Sequence, residues 1–235
     1  NLLDSYNKPT ETNVTISMYD KKTNSNKYNF VHTLNNNGLP DTLYIDPYIR
    51  YRVVAHTLPP VVNDSVDITL GTHNIIPLLT PQGYFQVKMA GFNSGSIKFI
   101  IKKAGENEII NVQDINTKER YILGKYDVEV LTMPRIKLKD ISILQNHTTT
   151  IDIPQPGIVS INWGTYGYGG IYYINDKGNL EMVYNISDNL TKVTLLLQPG
   201  EYKIIFRTKN STETKYTIEK NFKIESGQSI IVNIN

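Results

Sequence analysis

The chain has no cysteine. That absence removes disulfides, thiolate nucleophiles and cysteine-ligated zinc together. A secreted eukaryotic module of this size usually carries disulfides, so their lack fits a bacterial protein or a cytosolic one. Long apolar runs are missing too. The longest reach about four or five residues, too few to span a bilayer. Neither sign of charge dominates: 24 Lys and Arg stand against 22 Asp and Glu, mixed along the chain. This balance argues against a nucleic-acid interface and against a polybasic membrane anchor. Helical periodicity is scarce, with no such stretch longer than about two turns. No leader peptide is visible, and the chain starts in what reads as mid-domain, as expected of a mature form or an excised fragment.

What the sequence has is a threefold repeat of about 75 residues. Tyr51, Tyr126 and Tyr202 each open a strand-like run that ends six residues later in Thr57, Thr132 or Thr208. The first two runs continue into Pro59 and Pro134. A second alternating stretch, a polar turn and a β-branched strand follow each time. The first two units close on Pro81-Gln82-Gly83 and Pro154-Gln155-Pro156-Gly157. Three modules are expected: 1–81, 82–156 and 157–235. Linkers this short, containing proline, have little reach, so neighbouring modules should touch and form a stiff rod or arc.

Within each unit the apolar residues alternate. Val14, Ile16 and Met18 interleave with Thr15, Ser17 and Tyr19. Such alternation places one strand face in a core and the other in solvent. Turn signals recur every eight to twelve residues in many places, as at Asp176-Lys177-Gly178 and Ser226-Gly227. An all-β fold of sandwiches follows. The segment 102–121 is the least regular and is expected to hold one helical turn.

Two family resemblances bear on this. The opening run LLDSYNKPTETNVTISMYD, residues 2–20, resembles the start of carboxypeptidase-regulatory-like domains, and Pro199-Gly200-Glu201-Tyr202 matches their Pro-Gly-x-Tyr turn into a strand. Gly124-Lys125-Tyr126 matches it in part, and Arg50-Tyr51 keeps only the tyrosine. This resemblance implies three tandem prealbumin-like (transthyretin-like) β-sandwich modules. The runs GKYDVEVLTMPRI, HTTTIDIPQPG and LLLQPGEYKIIFRTKN look like the C-terminal β-module tail of bacterial von Willebrand factor A domain-containing envelope proteins. That tail implies a non-enzymatic, structural or adhesive role in a bacterial envelope or secreted protein. Its partner would be a protein or an N-terminal domain of the same chain. The A domain's Asp-x-Ser-x-Ser metal motif is absent: Asp4-Ser5-Tyr6 and Asp64-Ser65-Val66 lack the serine two places after the aspartate. No metal, no cofactor and no catalytic residue is carried over.

Candidate chemistry reads as structure. His32, His56, His73 and His147 lack the close pairing that histidine metal sites use. Gly91-Phe92-Asn93-Ser94-Gly95-Ser96 is not a Gly-x-Ser-x-Gly elbow. Glu106 and Glu108 sit in a polar loop, although glycosidase carboxylates can lie far apart in sequence, which keeps a hydrolase as a third class. The unusual stretch is 163–173, holding the only tryptophan and four tyrosines among four glycines. Aromatics on a flexible loop supply rigid contact area for proteins or glycans. Trp163, Tyr166, Tyr168 and Tyr172 are therefore the candidate contact residues. A carbohydrate-binding module is the alternative function, and exposure of these rings separates it from a scaffold whose core they fill.

Overall fold

The computed structural model describes every residue except Asp41, 92–96, Thr212, Thr214, Lys215 and Asn235. Among the described residues the fold is all-β, with no α-helix, and no helix is long and apolar enough to cross a membrane. The strands fall into three consecutive segments. The first segment carries β1 (Leu2–Leu3), β2 (Val14–Asp20), β3 (Asn26–His32), β4 (Tyr51–Ala55), β5 (Val61–Val66) and β6 (Leu78–Leu79). The second carries β7 (Gln82–Lys88), β8 (Lys98–Lys103), β9 (Ile109–Asp114), β10 (Glu119–Ile122), β11 (Gly124–Val130), β12 (Ile136–Ile143) and β13 (Thr148–Asp152). The third carries β14 (Gly157–Asn162), β15 (Gly167–Ile174), β16 (Leu180–Ile186), β17 (Lys192–Leu197), β18 (Gly200–Thr208), β19 (Thr217–Ile224) and β20 (Ser229–Asn233).

The same strand order recurs. Four-stranded sheets run β3-β2-β4-β5, β12-β11-β8-β9 and β16-β15-β18-β19. Each faces a smaller sheet: β10-β7-β13 in the second segment, β17-β14-β20 in the third, and only β1-β6 in the first. In all three small sheets the first and last strands of the segment pair in parallel. The inward residues form three separate apolar clusters. They centre on Ile16, Tyr51 and Val53, on Phe85, Phe99 and Tyr126, and on Val159, Trp163 and Tyr202.

The repeated tyrosine has one job in each cluster. Tyr51, Tyr126 and Tyr202 are all buried, and their hydroxyls donate to the carbonyls of Asp46 (3.0 Å), Ile122 (2.6 Å) and Gln198 (2.6 Å). A buried tyrosine needs such an acceptor for its polar tip. Each bond pins the corner entering its strand to the core beneath it.

One expectation needs correction. Segment 102–121 holds no helical turn; it forms the end of β8, then β9 and β10. Residues 104–108, Ala-Gly-Glu-Asn-Glu, make the turn, and the alternation that follows builds strands. The apolar phase of β12 slips between Leu138 and Ile141 because Asp140 takes a positive φ of 57° and its amide donates to Asp127 Oδ1 at 3.1 Å. The pairing of β11 with β12 shifts at the same place, as a β-bulge requires.

Candidate functional site

The aromatic stretch 163–173 is not one surface. Trp163 follows β14 and is buried, 3% exposed, with its ring 5.9 Å from Phe206. Its indole N–H donates to the Leu190 carbonyl at 2.7 Å. Both its apolar body and its polar tip are satisfied within the third core, so it has no face to offer a partner. Tyr172 is half-buried, and its ring lies where a side chain on Gly170 would stand. Tyr166 and Tyr168 are exposed, at 59% and 47%. The expected grouping of four thus leaves two exposed tyrosines.

The glycines are also not a flexible loop. From Gly167 onward the chain is β15, paired along its length with β18. A Cβ on Gly169 would meet the Ile205 carbonyl oxygen at 2.0 Å, and one on Gly167 the Arg207 carbonyl oxygen at 2.3 Å. These glycines permit close approach of one backbone to another.

The histidines are dispersed. His73 and His147 lie in exposed turns, and His32 ends β3 facing inward. His56 follows β4, and its Nε2 lies 2.7 Å from Ser17 Oγ. Ser17 Oγ is also 3.1 Å from Asn29 Oδ1, on β3. The pair resembles a nucleophile and base in distance alone. Ser17 is 3% exposed and sits in the middle of β2, whose backbone is paired on both sides with β3 and β4. A substrate carbonyl has no approach to it and no free amides to receive an oxyanion. Glu106 and Glu108 are exposed, and Glu106 pairs with Lys103 at 3.2 Å. Among the described residues no group of three metal-ligating side chains converges. Ser94 and Ser96 lie outside the described residues.

A polar cluster lies between the first two segments, and the sequence gives no local sign of it. Glu11 is buried, and its carboxylate receives Arg120 Nη2 at 2.5 Å, the Gln82 amide at 3.2 Å and Gln82 Nε2 at 3.3 Å. Arg120 Nη1 donates to the Thr12 carbonyl at 2.7 Å. Ser5 N–H donates to Gln145 Oε1 at 2.8 Å. These contacts join the loop between β1 and β2 to β7, β10 and the turn after β12.

An apolar contact stands beside them. Leu58 packs against the second core, and its carbonyl accepts the Ile122 amide at 2.8 Å. The next junction repeats this pattern. Met133 packs against the third core, and its carbonyl accepts the Gln198 amide at 2.8 Å. Leu58 and Met133 both follow a buried-side threonine whose hydroxyl donates to a proline carbonyl, Thr57 to Pro59 at 2.6 Å and Thr132 to Pro134 at 2.8 Å. The repeat therefore carried a readable signal, Thr-apolar-Pro, which becomes Thr208-Lys209-Asn210 in the third unit. Gln155 adds a second clasp, with Nε2 donating to the Gly91 carbonyl at 3.2 Å and its own carbonyl accepting from Ser226 Oγ at 3.1 Å.

One apolar patch also faces outward. Ile158 and Leu196 lie opposite each other on β14 and β17, with Ile231 of β20 close by. All three are exposed, Ile231 at 75%.

No family model matches the chain, and no curated protein matches it. Similarities to solved structures are faint. The Bacillus anthracis TIE protein is 11% identical with a TM-score of 0.26, covering 99% of this chain and 48% of its own. This chain thus spans about half the length of that protein. The chicken CNTN1 FN1–FN3 domains are 12% identical with a TM-score of 0.20, covering 92% of this chain and 90% of theirs. Dpr11 IG1 bound to DIP-gamma IG+IG2 is 12% identical with a TM-score of 0.17, covering 65% of this chain and 96% of its own. Scores this low align no individual residue with this chain.

Proposed function

We propose that the chain is a non-enzymatic spacer of three prealbumin-like modules, 1–81, 82–156 and 157–235, in a bacterial envelope or secreted protein. Its work is mechanical: it holds a partner-binding domain, or its own contact surface, at a fixed distance and orientation. The observation that carries this reading is the repeated junction. Leu58 to Ile122 and Met133 to Gln198 are the same contact made twice, each between an apolar residue after a threonine and the corner below a buried tyrosine.

The sheet order supports the module type. Two complete units place strands in the order fourth-first-seventh and third-second-fifth-sixth, with the first and last strands parallel. An immunoglobulin constant domain instead joins its first, second, fourth and fifth strands in one sheet. The envelope placement and the partner domain rest on the sequence resemblance to von Willebrand factor A-associated tails. A glycan-stacking role is less favoured, because burial of Trp163 leaves only Tyr166 and Tyr168 of the four candidate rings exposed.

Small-angle scattering tests the reading. One rigid conformation of the whole chain should fit the profile. A profile that requires a broad ensemble of module orientations would remove the mechanical basis.

A further inference from the structure

Most sheet edges in this chain carry charge. Of the edge strands longer than two residues, among the described residues, β20 alone has no charged side chain. At the other edge of its own sheet β17 carries Lys192, and β12 of the second module carries Lys137, Lys139 and a bulge beside Asp140. Charges and bulges at an edge prevent pairing with another strand. By contrast β20 reads Ser-Ile-Ile-Val-Asn, and its register with β14 runs without a shift.

Pairing with β14 decides which groups of β20 remain available. The Ile158 amide donates to the Gln228 carbonyl at 2.7 Å, and the Ile234 amide donates to the Asn162 carbonyl at 2.9 Å. In a parallel ladder this alternation turns the backbone of Ile230 and Val232 toward β14. The amides and carbonyls of Ser229, Ile231 and Asn233 therefore point to the open edge. Their side chains are exposed, Ile231 at 75%. The Asn233 carbonyl receives Lys220 Nζ at 2.7 Å and keeps a second lone pair. In the second module β13 stands in the place of β20 and also pairs on one side only, although the chain runs on from it into β14. The open edge thus belongs to the module. The matching positions there are Thr148, Thr150 and Asp152, so an acid stands where β20 has Asn233.

We propose that β20 pairs antiparallel with β20 of a second copy of this chain, about a two-fold axis at Ile231, and joins two three-stranded sheets into one of six strands. The strand is a palindrome of polar and apolar residues about Ile231: Ile230 and Val232 flank it, and Ser229 and Asn233 close it. Pairing about that residue sets each Ile231 amide against the partner's Ile231 carbonyl, and Ser229 against Asn233 in both directions. Each open amide and carbonyl of the three residues meets its complement. On the outward face Ile231 lies beside its copy, with polar residues opposite each other on either side. This self-match selects a second copy over an unrelated strand. The interface is isologous and closes at two chains. It is also small, so the dissociation constant should be about 0.1 mM. This inference is independent of the spacer reading.

Sedimentation velocity of the intact chain from micromolar to millimolar concentration tests it, with hydrogen exchange read at both ends of that range. A reversible dimer should appear. At millimolar concentration exchange at the Ser229, Ile231 and Asn233 amides should slow about fivefold, while Ile230 and Val232, already bonded to β14, stay unchanged. Ile231→Lys places like charges across the axis and should leave a monomer at every concentration, with Trp163 emission unaltered. Leu196→Lys, on the same sheet face but two strands from the edge, should leave the dimer intact. The alternating protection in the unaltered chain decides the matter even if a variant misfolds. Four results would overturn the proposal. They are a chain that stays monomeric at millimolar concentration, an Ile231 amide protected equally at every concentration because the chain covers its own edge, a dimer that survives Ile231→Lys or is lost with Leu196→Lys, and growth beyond two chains.

Discussion

The Tyr126 hydroxyl donates to the Ile122 carbonyl at 2.6 Å, and the amide of that same Ile122 donates to Leu58 in the preceding module at 2.8 Å. One residue thus ties a module's core to its neighbour. Tyr202 and Gln198 repeat the arrangement toward Met133. Burial pushes the Tyr126 and Tyr121 hydroxyls up to about 12, and burial together with Tyr28 does the same for Tyr51. Tyr202 is displaced further in the same direction, chiefly by burial. An unfolded tyrosine loses its proton near pH 10. The folded chain holds these protons more tightly, so its stability is full below about pH 10 and falls between about pH 10 and 12. Urea midpoints measured from pH 8 to 12 should decline only above pH 10. Tyr126→Phe should lower stability by about 1 kcal/mol at neutral pH through the lost bond. A midpoint that stays level to pH 12 would contradict the buried-tyrosine account.

Glu11 and Arg120 should behave as a coupled pair. Arg120→Ala leaves a buried carboxylate without its cation and should cost about 1–3 kcal/mol, discounted from the fully buried case because Arg120 keeps some solvent access. Glu11→Ala should cost less than the sum implies when combined with Arg120→Ala, and a double-mutant cycle should return a coupling of about 1 kcal/mol or more. Additive losses would show that the junction does not rest on this pair.

Trp163 is the only tryptophan, which makes its emission a clean report on the third core. Buried beside Phe206, it should emit at short wavelength and resist acrylamide quenching. Oligosaccharides added in excess should leave the emission unchanged. A shift on adding a glycan would restore the carbohydrate-binding alternative.

Much of this architecture was legible in particular residues. Tyr51, Tyr126 and Tyr202 announce equivalent corners, and their hydroxyls occupy equivalent places. Alternation in residues such as Val14, Ile16 and Met18 marks an inward face that the structure buries. The failures have physical causes. Gly167 and Gly169 looked like loop residues because composition cannot distinguish flexibility from close packing against β18. The Glu11–Arg120 contact joins residues 109 apart, and nothing local to either predicts it.

Coupling of module orientations is the central claim, and electron spin–spin distance measurement tests it most directly. The chain has no cysteine, so two can be introduced without competitors. Lys27→Cys on β3 and Asn221→Cys on β19 lie at exposed positions of the first and third modules. Spin labels at these sites report both junctions at once. The account predicts one narrow distance distribution, which broadens when Leu58→Asp or Met133→Lys removes an apolar contact. A broad distribution in the unaltered chain, unchanged by either substitution, would contradict it.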